Sequence, residues 1–320
     1  MVTIRDIAER AAVSVSTASR ALNNNPRISR ETRLRIQSIA TEMGYQPNYN
    51  AKTLTNGEAN AVGVIFPPGD MSTAANPFFV NLLMGINTQL RLRNAVLSVA
   101  IANTTEELVK NVLALISQSL IHHFILLYSK VNDPVVELLK SQGVQYVLVG
   151  DPTQDNERYV NNNNRLAGAK ALEYLNRHFN SRHVLFVESE VEQGFEKQRR
   201  LGFESATQKL GIKRELLKLP NRAMQYLDQA VAQYLANRRD IDGIMTTDDL
   251  IGMTVYQLTR QQLNRQVPLI SFNKSQSNIL IGDQVRFVEL YPQHMGEAAV
   301  RVLFSETKQF EMIPFTIEKV

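Results

Sequence analysis

The chain has 320 residues, enough for two or three domains, and its 44% hydrophobic and 21% charged residues are typical of a globular rather than a disordered protein. Its net charge of +4 is modest, and the absence of cysteine excludes disulfides, thiolate metal sites and cysteine nucleophiles. No window approaches 18 apolar residues and no hydrophobic signal segment opens the chain, so we expect a cytoplasmic protein without a membrane span.

The first predicted element is a helix-turn-helix within residues 3–25. Apolar residues recur at i, i+3, i+4 and i+7 from Ile4, which predicts a short helix that Thr3 caps. After a turn of about three residues, Ser14 can cap a second helix. Its outer face is small, polar and basic, and fits a major groove, where an arginine can bind a guanine. That face comprises Val15, Ser16, Ser19, Arg20 and Asn23. The alternative is a helical hairpin in an ordinary all-α subdomain.

A third predicted helix completes a small amino-terminal domain. Ser29 can cap this helix, and Gly44 lies at its carboxyl end. Residues 1–58 contain eight Lys or Arg against five Asp or Glu. Beside a helix-turn-helix, that excess is typical of a surface that contacts DNA phosphates. A polar linker broken by Pro47 follows, with a short helical segment at about residues 50–55.

The opening stretch TIRDIAERAAVSVSTASRALN resembles the lactose-repressor/galactose-repressor family of bacterial transcription regulators. The family pattern is roughly T-x-x-D-V/I-A-x-x-A-G-V-S-x-x-T-V-S-R-V-L-N. A second family pattern, Y-x-P-N-x-x-A-x-x-L, is matched by Tyr45, Pro47, Asn48, Ala51 and Leu54. The chain departs from the first pattern at Ala12, where the family has Gly, and at Ala18, where it has Val. Ala12 predicts that the turn needs no positive φ, and Ala18 slightly shrinks the core.

The resemblance implies a DNA-binding headpiece, a hinge and an effector domain. Their expected bounds are 1–46, 47–59 and 60–320, and the last is expected to dimerise. Two hinges would pair in the minor groove of a palindromic operator, with Leu54 as an apolar wedge between base steps. The alternative is that Leu54 packs on the headpiece or lies in a plain linker. The expected DNA-binding residues are Thr3, Ser14, Val15, Ser16, Thr17, Ser19, Arg20, Asn23, Asn48, Ala51, Lys52 and Leu54.

From residue 60 onward, apolar runs rich in β-branched residues alternate with amphipathic helices. This alternation predicts parallel, doubly wound sheets with helices on both faces. The predicted strands are AVGVIF, AVLSVAI, HFILLYS, QYVLVG, HVLFVE, IDGIMTT and VPLISF. The helices between and after them are predicted at about 78–93, 105–119, 134–142, 164–178, 195–210, 222–237 and up to 262.

Roughly ten strands are too many for one such sheet, so we expect two lobes. The resemblance implies an effector domain like a periplasmic sugar-binding protein, whose chain crosses between lobes three times. The expected crossings are near 158–162, 288–292 and 309–313. They define an N-lobe of about 60–159 and 291–309 and a C-lobe of about 160–290 and 310–320.

No enzyme signature is present. The sequence lacks G-x-G-x-x-G after a strand, G-x-x-x-x-G-K-S/T and H-E-x-x-H. His122 and His123 open a predicted strand, where adjacent side chains point to opposite faces, which disfavours a metal site. We therefore expect no catalytic residue, no metal site and no cofactor.

Ligands of open α/β sheets bind beyond the carboxyl ends of the strands, which selects candidate residues here. AVGVIF is followed by a long loop that leads to Asn76, Phe78 and Phe79, IMTT by Asp248, and LISF by Asn273. Either phenylalanine is as well placed for the core as for a ligand. Asp248 is equally suited to cap a helix.

The family pattern R-L-x-G-Y/F implies a ligand-binding arginine three residues before Gly202, which is Arg199. An aromatic pair, an arginine, an aspartate and an amide suit a sugar, because they combine bidentate hydrogen bonds with ring contacts. The family usually has Asp where this chain has Asn273. An amide donates as well as accepts, which leaves the exact ligand open.

Within the family, the stretches NPFF, GIMTTDDLI and VPLISF resemble maltose-operon repressors of low-GC Gram-positive bacteria. The resemblance implies a homodimeric repressor of a carbohydrate-utilisation operon with an α-glucoside effector, such as maltose. Two alternatives stay open. One is a global catabolite-control regulator with a phosphoprotein corepressor, and the other is a sugar-binding receptor without DNA regulation. The predicted DNA-binding headpiece disfavours the receptor alternative.

Overall fold

The computed structural model describes residues 2–45, 59–69, 76–190, 193–219, 231–262, 264–273 and 284–319. The chain divides into two compact units, Met1–Ala59 and Asn60–Val320. The predicted hinge helix lies outside the described residues, so its four expected DNA contacts, Asn48, Ala51, Lys52 and Leu54, stay predictions.

The described part of the first unit consists of three helices, as predicted: α1 (Ile4–Arg10), α2 (Val15–Leu22) and α3 (Arg30–Glu42). Each begins at a hydroxyl cap, Thr3, Ser14 or Ser29, whose oxygen accepts a hydrogen bond from the N–H three residues later. The helices enclose a core made largely of small side chains, which lets them pack closely. Its buried members are Ile7, Ala11, Ala21, Ile36 and Ala40.

The turn between α1 and α2 contradicts the expectation for Ala12. Its φ is 52°, in the left-handed region. The N–H of Ala12 donates to the Glu9 carbonyl at 3.0 Å, and the N–H of Val13 donates to the Ala8 carbonyl at 2.9 Å. This is the Schellman pattern that ends a helix, and it requires a left-handed residue whatever the side chain. Alanine tolerates the conformation at a cost of about 1–2 kcal/mol.

The described part of the second unit forms two six-stranded sheets flanked by helices, which confirms the predicted pair of doubly wound α/β lobes. The strands are β1 (Ala61–Ile65), β2 (Val96–Ala100), β3 (His123–Leu126), β4 (Gln145–Val149), β5 (Tyr159–Asn162), β6 (His183–Ser189), β7 (Lys213–Leu219), β8 (Gly243–Thr246), β9 (Leu269–Phe272), β10 (Val285–Glu289), β11 (Phe310–Ile313) and β12 (Thr316–Lys319).

The helices of the second unit lie mostly where the sequence predicts them. They are α4 (Pro77–Arg91), α5 (Thr105–Ser117), α6 (Pro134–Ser141), α7 (Asn164–Phe179), α8 (Gly194–Leu210), α9 (Asp249–Gln257) and α10 (Pro292–Leu303). A π-helix (Leu258–Gln262) continues α9, and residues 231–236 are helical. None of the described helices combines the length and apolar character needed to cross a membrane.

The two sheets share one strand order. It is β2-β1-β3-β4-β5-β11 in the N-lobe and β7-β6-β8-β9-β10-β12 in the C-lobe. All described neighbours are parallel except β10 and β12, which are antiparallel. The strand order therefore reverses beside β1 in the N-lobe and beside β6 in the C-lobe. A crevice forms at the carboxyl ends of the strands on either side of such a switch point.

The chain passes between the lobes after β5, β10 and β11. Two of the expected crossings are too early, because β5 pairs with β4 and β11 pairs with β5 inside the N-lobe sheet. Residues 160–162 and 310–313 thus belong to the N-lobe rather than the C-lobe. The polar sequence YVNN conceals β5, since it lacks the apolar run of a buried strand. All three crossings leave from carboxyl ends, so these ends of both sheets face the space between the lobes.

Candidate effector site and DNA-reading helix

The face of α2 that is predicted to contact DNA is open to solvent. Val15 is 43% exposed, and Ser16, Arg20 and Asn23 are exposed as well. On the opposite face Ala18 is fully buried. Helix α2 therefore presents a small, polar face with one arginine, the type of surface that enters a major groove.

Hydroxyl groups order the start of α2. The Ser14 Oγ accepts from the Thr17 N–H at 3.1 Å and lies 2.8 Å from the Thr17 Oγ1 and 2.9 Å from the Ser16 Oγ. Thr3 is engaged in a similar way, since its N–H and hydroxyl both donate to the Asp6 carboxylate. Ser14 and Thr3 thus act as helix caps and Thr17 is bound to the first of them, which limits the hydrogen bonds that these three residues can offer to DNA.

Two basic residues of the headpiece have structural partners. The Arg33 guanidinium donates to the carbonyls of Asn24 and Asn25. Arg35 donates to the Ala11 carbonyl at 3.2 Å. These arginines satisfy carbonyls at the ends of α2 and α1. Arg33 and Arg35 therefore support the fold of the headpiece as well as contributing to its positive charge.

In the second unit, a cavity of about 420 Å³ lies between the lobes at the carboxyl ends of the strands. The N-lobe contributes the starts of two helices, α4 and α10. The C-lobe contributes residues that follow or end strands β8, β9 and β10 and one residue of β12, and the second crossing contributes one tyrosine. The lining residues are Pro77, Phe78, Asn81, Asp249, Asn273, Glu289, Tyr291, Pro292, Gln293, His294 and Glu318.

Two of the six predicted effector residues, Phe78 and Asn273, line this cavity. Asn76 caps α4 instead, with its Oδ1 accepting from the Phe78 N–H at 2.9 Å. Phe79 packs on the N-lobe core, 5.3 Å from the Phe66 ring, and is not among the described lining residues. One step along a helix turns a side chain by about 100°, and this rotation directs Phe79 toward the Phe66 ring while Phe78 faces the cavity.

Asn273 directly follows β9 and has a left-handed conformation with φ of 67°, which asparagine adopts more readily than most residues. Its N–H donates to the Val288 carbonyl at 3.0 Å, which holds it beside the end of β10. Its buried Oδ1 has no hydrogen-bond partner among the residues that the structure describes. This oxygen is therefore suited to accept from a ligand hydroxyl.

Arg199 lies behind the cavity wall. It is 4% exposed, and its Nε donates to the Asn164 Oδ1 at 2.9 Å while its Nη1 donates to the Thr247 carbonyl. The guanidinium carbon lies 4.2 Å from the centre of the Phe272 ring, directly before Asn273 in sequence. Burial lowers the pKa of Arg199 to about 9, although Glu196 and Asp248 oppose the shift. The guanidinium is thus cationic at neutral pH.

Asp248 serves as the cap of α9, which is one of the two roles expected for it. Its Oδ1 accepts from the Ile251 N–H at 2.8 Å. Burial raises the pKa of the Asp248 carboxyl to about 6, and the nearby carboxylates of Asp249 and Glu196 act in the same direction. The next residue, Asp249, lines the cavity. The strand-end rule therefore selected a loop that lines the cavity, one residue away from the carboxylate in the wall.

A second polar layer behind the cavity was not predicted. Glu196 is 1% exposed, and its Oε1 accepts from the hydroxyls of Ser189 at 2.6 Å and Thr247 at 2.8 Å. This carboxylate ties the start of α8 to the ends of β6 and β8. Asp151 was also missed, although it lies two residues after the end of β4, where the strand-end rule applies. Burial raises its pKa, and a hydrogen bond from Asn161 opposes that shift.

Tyr291 is another lining residue that the sequence analysis missed. It has a φ of 54°, and its N–H donates to Glu289 at 2.8 Å. Its ring stacks on His294, and its hydroxyl lies 2.8 Å from the Thr316 Oγ1. The strand before it, VRFVE, carries Arg286 and does not resemble a buried apolar run. A charged residue inside that strand concealed the signal.

The chemistry of the cavity suits an uncharged polyol. Its described lining residues include carboxylates, amides, an imidazole, a phenol and a phenylalanine ring, but no lysine or arginine. Carboxylates accept hydrogen bonds from hydroxyls, amides both accept and donate, and a ring packs on the apolar face of a sugar. Within the described ranges, no group of three or more His, Asp or Glu side chains is arranged to hold a metal ion.

Comparisons with known proteins divide the chain in a similar way. Residues 3–48 match the family model for bacterial regulatory proteins of the lacI family. Residues 59–305 match the model for periplasmic binding proteins and the sugar binding domain of the LacI family. The HTH-type transcriptional regulator MalR of Staphylococcus xylosus is 28% identical over 303 residues, covering 93% of this chain and 89% of the relative.

Two solved structures illustrate the shared fold. A probable maltose operon transcriptional repressor from Staphylococcus has a TM-score of 0.73 at 20% identity, over 82% of this chain and 96% of that one. The lac repressor dimer bound to operator and the anti-inducer ONPF has a TM-score of 0.79 at 14% identity, over 99% and 98% of the two chains.

Proposed function

The chain belongs to the lacI family of bacterial regulatory proteins, and on that basis we propose that it is a homodimeric repressor of a carbohydrate-utilisation operon whose effector is maltose or a related α-glucoside. One observation carries the proposal. A single chain joins a helix-turn-helix with an exposed reading face to a two-lobed unit with a sugar-sized, uncharged-ligand cavity. We assign it no catalytic activity and place it in the cytoplasm, with the DNA that it regulates.

For operator recognition, the exposed face of α2 supplies the base contacts. Val15 and Ser16 are small enough to let the backbone approach the groove, and Arg20 reaches a guanine. The caps Thr3 and Ser14, together with Thr17 beside the second cap, offer their remaining hydrogen bonds to phosphates. The hinge residues Asn48, Ala51, Lys52 and Leu54 contribute minor-groove contacts. Ser19 and Asn23 complete the reading face.

For effector recognition, Phe78 packs on the apolar face of the sugar while Asn273 and Asp249 bind hydroxyls from the C-lobe side. Arg199 and Asp248 form the polar layer that holds those walls in place. The similarity to a probable maltose operon repressor supports an α-glucoside. The lack of lysine and arginine among the described lining residues supports an uncharged sugar over a sugar phosphate.

For dimerisation, the N-lobe offers an apolar surface on α4 and the edge strand β2. Val80 is 52% exposed and Met84 54% exposed on α4, while Val96 is 57% exposed on β2. Val99 and Ile101 extend the surface at 40% and 42% exposure. An exposed apolar edge strand is a common site of association, because water competes poorly for such a surface. The similar lac repressor structure is a dimer on its operator, which supports the same assembly.

The proposed mechanism has two states. In one arrangement of the lobes, the hinges of two subunits pack together on a palindromic operator. The sugar binds the other arrangement more tightly and thereby releases the operator. A ligand shifts such an equilibrium only by its differential affinity, so the coupling should be about 1–3 kcal/mol, or roughly 5–150-fold in operator affinity.

The experiment starts by selecting operators from a pool of random palindromic DNA. Operator affinity is then measured by fluorescence anisotropy with no sugar and with maltose, cellobiose, sucrose and glucose 6-phosphate, alongside calorimetry of each sugar with the free protein. We expect sequence-specific binding that maltose weakens at least fivefold and the phosphate leaves unchanged. Equal affinity for all DNA sequences would contradict the assignment as a repressor. A response to a different sugar, with none to maltose, would contradict maltose as the effector.

A further inference from the structure

A chain of buried hydrogen bonds runs from Arg199 in the C-lobe to Asp151 in the N-lobe. The Arg199 Nε donates to the Asn164 Oδ1 at 2.9 Å. The Asn164 Nδ2 donates to the Asn161 Oδ1 at 3.1 Å, and the Asn161 Nδ2 donates to the Asp151 Oδ1 at 2.7 Å. The chain therefore follows the first crossing, with a guanidinium at one end and a carboxylate at the other.

The two amides in this chain are oriented by their charged ends. The carboxylate of Asp151 only accepts, so Asn161 turns its NH₂ group toward it and its oxygen toward Asn164. The guanidinium of Arg199 only donates, so Asn164 turns its oxygen toward the arginine. Asn161 and Asn164 are 5% and 4% exposed, which protects their bonds from water. Bonds aligned in this way strengthen one another in a low-dielectric interior.

A third asparagine links this chain to the other two crossings. The Asn162 Nδ2 donates to the Leu290 carbonyl at 3.1 Å and to the Ile313 carbonyl at 3.0 Å. Leu290 lies at the second crossing, and Ile313 ends the strand before the third. The Asn162 N–H donates to the Asn161 Oδ1, the same oxygen that accepts from Asn164. Through Asn162, all three crossings are thus connected to the Asn161 amide, which accepts a hydrogen bond from Asn164, the residue bound to Arg199.

We propose that Asn164 is the positioning residue that transmits effector occupancy from the Arg199 layer to the three crossings between the lobes. This inference rests on the proposed function. A sugar that binds Asn273 pulls on the segment that begins with Phe272, over whose ring the Arg199 guanidinium lies. Arg199 then shifts relative to α7. If Asn164 moves with Arg199, its hydrogen bond to Asn161 is disturbed. If Asn164 stays in place, the buried Arg199 Nε loses its acceptor.

The magnitude fits this role. An unsatisfied buried hydrogen-bonding group changes an equilibrium constant by a factor of about 5–150, which is also the general range of allosteric coupling. One broken bond in the chain is therefore enough to account for the response. The ring contacts of Arg199 with Phe195 and Phe272 hold it in the C-lobe, so they do not offer an alternative route to the crossings.

The test uses Asn164→Asp in the full-length dimer, because this change separates the two halves of the amide. The carboxylate still accepts from Arg199, but it has no hydrogen to donate to Asn161. An acidic residue is also favourable at the start of α7. We expect calorimetry to show maltose binding within threefold of wild type, while the ratio of operator affinities without and with saturating maltose falls to below twofold.

The matched control is Asn176→Ala, which removes a half-buried side-chain amide from the same helix. Its Nδ2 donates to the Ser181 carbonyl at 3.1 Å, far along α7 from the crossings. We expect this variant to keep the wild-type ratio. Asn161→Ala should lower the ratio of operator affinities without and with maltose as much as Asn164→Asp does. The double variant should lower it no further, since both changes interrupt one chain of hydrogen bonds.

A normal ratio in Asn164→Asp would overturn the proposal. Should wild type itself bind no maltose, the proposed effector fails, and hydrogen exchange of the ligand-free protein decides this inference alone. In that measurement Asn164→Asp, or Asn164→Ser if the aspartate variant does not fold, should speed exchange at residues 290–291 and 313–316 at least threefold. Exchange there equal to that of Asn176→Ala would contradict a link between Asn164 and the distant crossings.

Discussion

Gly202 and Arg165 bring the backbones of α8 and α7 into contact. A Cβ atom on Gly202 would lie 1.9 Å from the Arg165 carbonyl oxygen, far inside the van der Waals limit. The contact is reciprocal, since a Cβ on Gly168 would lie 2.1 Å from the Arg199 carbonyl oxygen. The glycine three residues after Arg199 therefore sets the depth at which that arginine sits between α7 and the end of β8.

Gly202→Ala should destabilise the second unit by about 1–3 kcal/mol or more, because the helices must separate to admit the methyl group. Sugar binding should weaken as well, since the shift moves Arg199 away from Asn164. Urea denaturation and maltose calorimetry measure the two effects. Gly194→Ala is the matched control, since a Cβ at this first residue of α8 meets nothing within 4 Å. Equal stability of the two variants would show that the close contact is not needed.

Ala12→Gly should stabilise the headpiece by about 1 kcal/mol, because glycine adopts the left-handed conformation of the turn without steric strain. Hydrogen exchange of the α1 and α2 amides in the full-length protein reports this change. Ala11→Gly provides the contrast. Ala11 is 2% exposed with a φ of −84°, so glycine there removes core packing and gains nothing. Faster exchange in Ala12→Gly would contradict the assigned strain.

Arg199→Ala should abolish the response to sugar and leave operator affinity of the sugar-free protein unchanged. The substitution leaves the Asn164 oxygen and the Thr247 carbonyl without their donor and removes the cation over Phe272. Anisotropy with operator DNA and calorimetry with maltose separate the two activities. Arg182→Ala, at an exposed arginine, is a control for loss of positive charge. Release of the Arg199→Ala variant from operator at wild-type sugar concentrations would contradict its place in the site.

Asp248→Asn should stabilise the protein at pH 8 more than at pH 4. The folded pKa of about 6 lies above the unfolded value of 3.8, so the ionised carboxyl lowers the free energy of unfolding above pH 6. As pH falls from 6 to 3.8, the folded state binds the proton first and this penalty disappears. Asparagine is an equally good helix cap, so the α9 cap is preserved. Urea denaturation of both proteins across this range gives the difference; a difference independent of pH would refute the assignment.

The alternation of apolar strands and amphipathic helices was sufficient to predict both lobes, because buried parallel strands are long apolar runs. Strands with polar residues escaped detection. In β5, the Asn161 amide donates to Asp151 in the loop after β4, and the Asn162 amide donates to the Leu290 carbonyl at the second crossing. Such residues are chosen by tertiary hydrogen bonds, which local periodicity does not reveal.

In the candidate site, too, the sequence pattern predicted some features, whereas tertiary contacts determined others. The rule that ligands bind at the carboxyl ends of strands located Phe78 and Asn273 and the loop of Asp248. The rule cannot specify which of two adjacent residues faces the cavity. That choice depends on helix phase, as with Phe78 and Phe79, or on which carboxylate caps a helix, as with Asp248 and Asp249. The left-handed conformation of Ala12 was not predicted for a related reason, since backbone hydrogen bonds rather than the side chain set its φ.

The last prediction concerns operator specificity. Arg20→Ala should weaken binding by about 1–3 kcal/mol at the one base pair that Arg20 contacts, and should make that position tolerant of other bases. Changes at Val15 and Ser16 should redirect the preferred operator instead. Affinity for a set of operators with single base-pair changes measures both effects.

Arg35→Ala is the control for these headpiece variants, because it removes an equal charge. Arg35 donates to the Ala11 carbonyl, so its loss should reduce headpiece stability and lower affinity for every operator alike. A uniform loss for Arg20→Ala, parallel to that of Arg35→Ala, would mean that Arg20 contacts the phosphate backbone. Direct reading of a base by α2 would then rest on Val15 and Ser16 alone.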